Sequence, residues 1–282
     1  MHPSNKIVHG LWIGPKLSPL ELLTLHSFVQ QGHHFHLWVY EELDNQLPAQ
    51  VYLQDANQII PQQQVFKKKS ADPKHKIGKG SLGSPFSDLF RYKLLFEKGG
   101  WWVDMDVTCL KPLDFTSPYF FRAHPSLPAI GNVMKCPKNC PLMESVYCEV
   151  EAVCDEHTRE WLLPNKILNK HLMALQLQKY IHEGVSNEDA WEQLGALIYS
   201  KQKLPRDWYF IHWMNEEWRS QGLDKSKIYA SSTLANLLDQ YGISFHKVHF
   251  LAARYPWLLH HFFRTSSLYP LYRRLKYGAP IL

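Results

Sequence analysis

Ser87-Asp88-Leu89-Phe90-Arg91-Tyr92, running through Phe96 to Gly99-Gly100-Trp101-Trp102-Val103-Asp104-Met105-Asp106, is the stretch that decides how this chain of 282 residues folds. A helix is expected over Phe86 to Lys98, with Ser84 as its N-cap and Pro85 in its first turn. Gly99-Gly100 ends that helix and lets the chain reverse into a short buried strand, Trp101 to Val103. Asp88 and Arg91 lie three apart and so share a helix face, where they pair with each other or together hold a polar ligand. The strand runs out into Asp104 and Asp106, two carboxylates flanking one residue.

Two acidic side chains at a strand end are costly unless something neutralises them. A divalent cation is the natural partner. Mg²⁺ and Mn²⁺ take oxygen ligands and commonly use one or two carboxylates together with substrate phosphates. In open α/β sheets, ligands bind beyond the carboxyl ends of the strands, where these aspartates fall. An Asp-x-Asp triplet alone is usually a solvated turn; the whole segment is far more specific.

Working outward, residues 6–13 read as a first buried strand closed by Gly14-Pro15. Leu20, Leu23 and Phe28 put a helix over 19–31 that stops at Gly32, and 34–40 alternates as a second strand. This opening suggests a parallel sheet of the nucleotide-binding kind. Residues 61–83, polar and rich in Lys and Gly, read as a mobile surface loop. Further strands are expected at 119–123 and 128–134, and helices at 140–157, 164–182 and 187–201. A strand or loop at 207–213 follows, then helices to the end.

The segment from Ser87 to Asp106 resembles, without a gap, the sugar-binding region of glycosyltransferase family 32 and its relatives. These include bacterial capsule and lipopolysaccharide transferases and the catalytic domains of clostridial glucosylating toxins. Their shared pattern is Ser-Asp-x-x-Arg, a short helix, Gly-Gly, an aromatic-containing strand and Asp-x-Asp. Lys111-Pro112-Leu113-Asp114 continues the match, and residues 6–14 look like the first strand of these enzymes. The resemblance covers about 6–40 and 84–135. It implies an α/β fold of the GT-A type, a single Rossmann-like nucleotide-sugar-binding domain with a C-terminal helical elaboration. Residues 1–282 then form one domain, with a donor-binding core to about 135 and a helix-rich acceptor region over about 136–282.

The resemblance also implies roles. Trp12 stacks on the donor base. Asp88 and Arg91 contact ribose, base or sugar, and Trp102 lines the pocket. Asp104 touches the ribose and the metal shell, Asp106 binds the metal, and Asn132 lies near the donor sugar. In His212-Trp213-Met214-Asn215-Glu216-Glu217-Trp218, His212 is a further metal ligand and Trp218 closes over the diphosphate. Glu217 stands where relatives commonly have Ser, which leaves Glu216 or Glu217 as alternative ligands. The catalytic group is then Asp104, Asp106 and Arg91, with Mn²⁺ or Mg²⁺ as cofactor. Trp12 and Trp102 also read as core aromatics, Asp88–Arg91 as a structural ion pair and His212 as an ordinary histidine.

The implied activity is metal-dependent, retaining transfer of a hexose from a nucleotide-diphosphate sugar, UDP-sugar favoured, to a glycan or lipid-linked surface-polysaccharide precursor. A toxin-like protein glycosyltransferase and a non-catalytic sugar-binding relative are alternatives. A metal-dependent phosphohydrolase using Asp104 and Asp106 leaves Trp12 and the Gly-Gly strand unexplained.

Composition narrows the setting. Hydrophobic residues make up 45% of the chain, enough for a sizeable core, and the ten tryptophans suit both core packing and sugar or base stacking. Five cysteines without a Cys-x-x-Cys pair argue against a disulfide scaffold and for a reducing, cytoplasmic setting. Cys136 and Cys140 as a zinc site lack a second pair at ligand spacing. Met1 to Ile13 shows no secretory signal, and no stretch approaches the ~18 apolar residues of a membrane span. Lys67, Lys68, Lys69, Lys74, Lys76 and Lys79 crowd one loop. Arg254, Arg264, Arg273, Arg274 and Lys276 interleave with Trp257, Phe262, Phe263, Tyr269 and Tyr272. That tail reads either as a helix resting on the anionic inner face of the cytoplasmic membrane or as a packed helix with a solvated basic face. A net charge of +5 gives no case for a nucleic-acid partner.

Overall fold

A computed structural model describes residues 2–69 and 86–248, which include every candidate site residue. The expected helix start at Ser84-Pro85, the lysines Lys74, Lys76 and Lys79, and the basic aromatic tail from Arg254 onward lie outside the described residues. In chain order the elements are β1 (Ile7–Trp12), α1 (Pro19–Gln30), β2 (His34–Val39), β3 (Val51–Asp55), α2 (Phe86–Lys98), β4 (Gly100–Val103), β5 (Val107–Cys109), β6 (Phe120–His124), β7 (Leu127–Cys136), α3 (Pro141–Val153), α4 (Leu163–Ala174), β8 (Ile181–His182), α5 (Trp191–Tyr199), β9 (Phe210–His212), α6 (Asn215–Ser220), β10 (Lys227–Tyr229), α7 (Thr233–Gln240) and β11 (His246–Val248).

Seven of the strands form one sheet in the order β3-β2-β1-β4-β7-β6-β8. β7 runs antiparallel to both its neighbours, and the other pairings are parallel. After β1 the chain moves outward to β2 and β3, then returns on the other side of β1 as β4. That reversal is the switch point at which open α/β sheets bind ligands. Trp12 ends β1, and Asp104-Met105-Asp106 follows β4, so both leave the sheet at the carboxyl edge beside it. The expected α/β class and its mostly parallel sheet are therefore present.

The sequence explains how the elements are placed. Ser18 and Glu21 form a capping box at the start of α1: the Ser18 hydroxyl accepts from the Leu20 amide, and the Glu21 carboxylate accepts from the Ser18 amide. At the end of α2, Gly99 and Gly100 take φ values of 68° and 89°. A Cβ on Gly99 would sit 2.4 Å from the Lys138 backbone nitrogen, so both turn and packing require glycine.

Both sheet faces are covered. On one, Phe86, Phe90 and Leu94 of α2 pack with Trp102, Met134, Leu142, Val146 and Leu168. On the other, Phe28 of α1 packs with Val8, Phe35, Trp101, Val103 and Phe120. A third cluster joins the outer side of α1 to the C-terminal helices through Leu20, Leu23, Leu194, Trp213, Trp218 and Leu238.

Several expectations are corrected. The helix expected over 164–182 stops at Ala174, because Gln176 takes a left-handed φ of 56° and Ile181–His182 then pairs beside β6. The helix expected over 187–201 covers only Trp191–Tyr199. Residues 61–69 are not wholly a surface loop: Lys68 is 1% exposed, and its ammonium donates to the Arg159 carbonyl. Strands β3, β5, β10 and β11 had no counterpart in the sequence reading. Cys136 and Cys140 are buried free thiols. No helix among the described residues is long and apolar enough to cross a membrane.

His9, buried in β1, supplies a test of the core. Its Nδ1 accepts from the Trp38 indole N–H at 3.2 Å. Burial and then the neighbouring His36 push its pKa down to about 3. The unfolded chain therefore takes up a proton below about pH 6.5 that the folded chain refuses, so stability falls as pH drops from there toward 3. The melting temperature is expected to fall over that range, and less steeply in His9→Gln. Parallel acid limbs in calorimetric melts of the two proteins would contradict this.

Candidate active site

The carboxyl edge at the switch point holds the acidic pair. α2 contributes Asp88 and Arg91 from adjacent turns, both buried. Arg91 Nη1 donates to Asp88 Oδ1 at 2.6 Å, and Nη2 reaches Asp104 Oδ1, also at 2.6 Å. Trp102 Nε1 donates to that same Asp104 oxygen at 2.8 Å, and the guanidinium lies over the Trp102 ring, 5.4 Å from its centroid. Arg91 thus bridges helix and strand and fixes one oxygen of Asp104. Gly131 makes room for it, since a Cβ there would lie 2.6 Å from Arg91 Nη1.

β7 contributes Asn132 opposite Asp104, whose amide donates to the Asn132 carbonyl. The Asn132 side chain is 2% exposed, and neither its Oδ1 nor its Nδ2 has a partner. Buried polar groups are nearly always paired, so orphans mark strain, function or a missing ligand. Trp12 Nε1, Asp88 Oδ2, Arg91 Nε and Asn215 Oδ1 are orphaned as well. All these residues belong to this edge.

The two-stranded sheet β5–β9 delivers the C-terminal partners. Its register sets His212 opposite Val107, the residue after Asp106. His212 Nε2 faces Asp106 Oδ2 at 3.6 Å, and Nδ1 lies 2.6 Å from Asp189 Oδ1. Asp106 Oδ2 also accepts from the Asn215 amide at 2.6 Å, and the Trp213 amide donates to the Asp106 carbonyl. Met214, left-handed at φ 49°, turns the chain so that the Asn215 amide points at Asp106. The Asn215 side chain in turn donates to Glu21, a fully buried carboxylate that also binds Lys225.

Charge sets the protonation states. Burial raises the Asp104 pKa and Arg91 opposes it; with Asp106 nearby, the result is about 6. Burial pushes Asp106 up too, but His212 and the Asn215 amide more than offset this and hold it below the usual carboxylate range. Burial lowers His212, while Asp189 and Asp106 pull it up to about 10. Asp88 lies above its ordinary value because burial outweighs Arg91. Asp189, despite its burial, is held well below its ordinary value by His212 and Arg122.

Asp88, Arg91, Trp102, Asp104, Asp106, Asn132 and His212 are brought together, and Trp12 stands at the same edge. Two expected roles change. Trp218 does not close over a diphosphate: it is 1% exposed, packs in the third core cluster, and donates its indole N–H to the Trp213 carbonyl. Trp102 is 1% exposed and acts on Asp104 instead of lining an open pocket. Glu216 pairs with Arg219, and Glu217 accepts from Ser220. Asp189, Arg122, Asn187 and Asn215 belong to the site but were not singled out from sequence.

The donor chemistry fits a hard divalent cation. Asp106 and His212 face each other across a gap too long for a hydrogen bond, and Asn215, whose backbone amide meets Asp106, has an orphaned side-chain oxygen. Among the described residues, no three His, Cys, Asp or Glu side chains close into a metal cage.

Residues 32–121 match the model of the family described as the glycosyltransferase sugar-binding region containing the DXD motif. The match includes Asp88, Arg91, Trp102, Asp104 and Asp106; Trp12, Asn132, His212 and Trp218 lie outside it. Among solved structures, the PaToxG glycosyltransferase is similar at 12% identity, covering 62% of this chain and 75% of that one, with a TM-score of 0.39. A transferase carrying two cysteine-to-serine substitutions is similar at 10% identity, covering 60% and 86% respectively, with a TM-score of 0.38. No curated protein matches the chain in sequence.

Proposed function

We propose that this chain, whose residues 32–121 match the DXD sugar-binding region, is a glycosyltransferase that moves a hexose, with a metal ion, from a UDP-sugar to a glycan or lipid-linked glycan. The observation that carries this reading is the gathering of orphaned buried polar atoms around the acidic pair at the switch point.

Asp106 and His212, with Asp104 beside them, would hold Mn²⁺ or Mg²⁺. When bound, the ion supplies Lewis-acid stabilisation of the charge developing on the leaving diphosphate. The remaining work falls to the chain. Arg91 and the Trp102 indole hold Asp104 in place, so its second oxygen is presented to the ligand in a fixed direction. Asn132 offers one acceptor and two donors suited to sugar hydroxyls. Trp12 offers an aromatic face to the base. No side chain is assigned as nucleophile; retention follows if the departing phosphate oxygen takes the acceptor's proton on the same face.

Incubating the full chain with a nucleotide-sugar panel, with and without Mn²⁺, tests this. Slow hydrolysis of a UDP-sugar only with Mn²⁺, and none of simple phosphate esters, is expected. Cleavage of simple esters, or no turnover of any nucleotide sugar, would overturn the reading. Trp12→Ala is expected to weaken UDP binding about tenfold or more, since base–aromatic stacking contributes roughly 1–3 kcal/mol. Unchanged affinity by calorimetry would return Trp12 to the core.

A further inference from the structure

Asp189 meets His212 on the ring nitrogen opposite the one that faces Asp106, and Arg122 reaches Asp189 from β6. Arg122, on β6, is 2% exposed. Its Nη1 and Nη2 donate to the two Asp189 oxygens, each at 2.8 Å. Nη2 also donates to the Asn187 carbonyl at 2.7 Å, and Nε to the Ser186 hydroxyl at 2.6 Å. The segment from Ser186 to Asp189 is thus wrapped around one guanidinium. That segment in turn grips His212 twice. The Asn187 amide side chain accepts from the His212 amide at 2.8 Å and donates to its carbonyl at 3.0 Å. Asp189 Oδ1 takes the ring Nδ1 at 2.6 Å.

An ion pair that merely tied β6 to the 186–189 segment would not need the His212 ring. Here the ring is the end of the chain of contacts, and its other nitrogen looks at Asp106. Which imidazole nitrogen carries the proton is set by the hydrogen bond the other one makes. A ligating histidine usually donates its remote N–H to a carboxylate, which fixes tautomer and ring orientation. We infer that Asp189, clamped by Arg122, is a positioning residue: it holds Nδ1–H of His212, so that when a cation shared with Asp106 binds, the ring releases its Nε2 proton to solvent and turns that nitrogen to the cation. The inference rests on the cation–diphosphate reading of the site.

Two measurements test it. The first is a double-mutant cycle on Mn²⁺ affinity, read by calorimetry on the full chain with UDP present. Asp189→Asn keeps the side-chain shape and is expected to weaken Mn²⁺ binding about 10–100-fold. In a His212→Ala background the same change is expected to cost less than about twofold, because the ring it positions is gone. Equal losses in both backgrounds would overturn the inference and leave Asp189 a structural residue. The second needs no variant, so a poorly folding Asp189→Asn does not block it. In ¹⁵N-histidine spectra of the native chain with Mg²⁺ and UDP, His212 is expected as the Nδ1–H tautomer; Nε2–H would overturn the inference. A native chain that binds no Mn²⁺ with UDP overturns the functional reading along with it, whereas intact binding with equal losses removes only the positioning role.

Discussion

Asp106→Asn is expected to reduce turnover by on the order of 10³-fold while the protein keeps its fold. The asparagine oxygen can still accept the Asn215 amide that Asp106 Oδ2 accepts at 2.6 Å. The backbone bond from the Trp213 amide to the Asp106 carbonyl is untouched. What disappears is the negative charge facing His212 and, in the proposed function, the cation. Circular dichroism and melting should stay close to native while donor turnover and Mn²⁺ affinity collapse together. Native-like turnover in the variant would remove Asp106 from the chemistry.

Arg91→Met should act in the opposite way, through the fold first. Arg91 is buried between Asp88 and Asp104 and donates to both. Removing one partner from a buried charge group costs about 3–5 kcal/mol, because the carboxylates left behind lose their counter-charge. For a chain of this size the melting temperature should drop on the order of 10 °C. Arg91→Lys should recover only part of this, since a single ammonium lacks the fork that meets two carboxylates in fixed directions. A shift of only a degree or two in Arg91→Met would mean that Asp88 and Asp104 are solvated well enough to stand alone.

These two residues were legible in the sequence because their relation is local. Asp88 and Arg91 share a helix face by spacing alone, and the paired glycines set the end of α2, which the structure places at Lys98. The strand after them and its aspartates followed from the same twenty residues. Asp189 and Arg122 were not legible: their partnership spans 67 residues and depends on two segments meeting beside β6. β5 and β9 have three residues each and exist only as a pair, so neither carries a period of its own. Trp218 was misplaced for a related reason. Its neighbourhood in sequence is polar, but the left-handed turn at Met214 points the ring into the α1 side of the core. Residues 178–182 looked helical because nothing local announced the reversal at Gln176.

β7 is the one strand of the main sheet that runs against its neighbours. Its N-terminal end, Leu127 to Gly131, therefore overhangs the acidic edge, joined to β6 by the tight bend at Pro125-Ser126. Pro125 and Ser126 are exposed, so residues inserted there would build a rim over the acidic edge without disturbing either hydrophobic face. If the proposed sugar transfer holds, longer bends grafted at this point are a route to altering what reaches the aspartates while leaving their own surroundings intact.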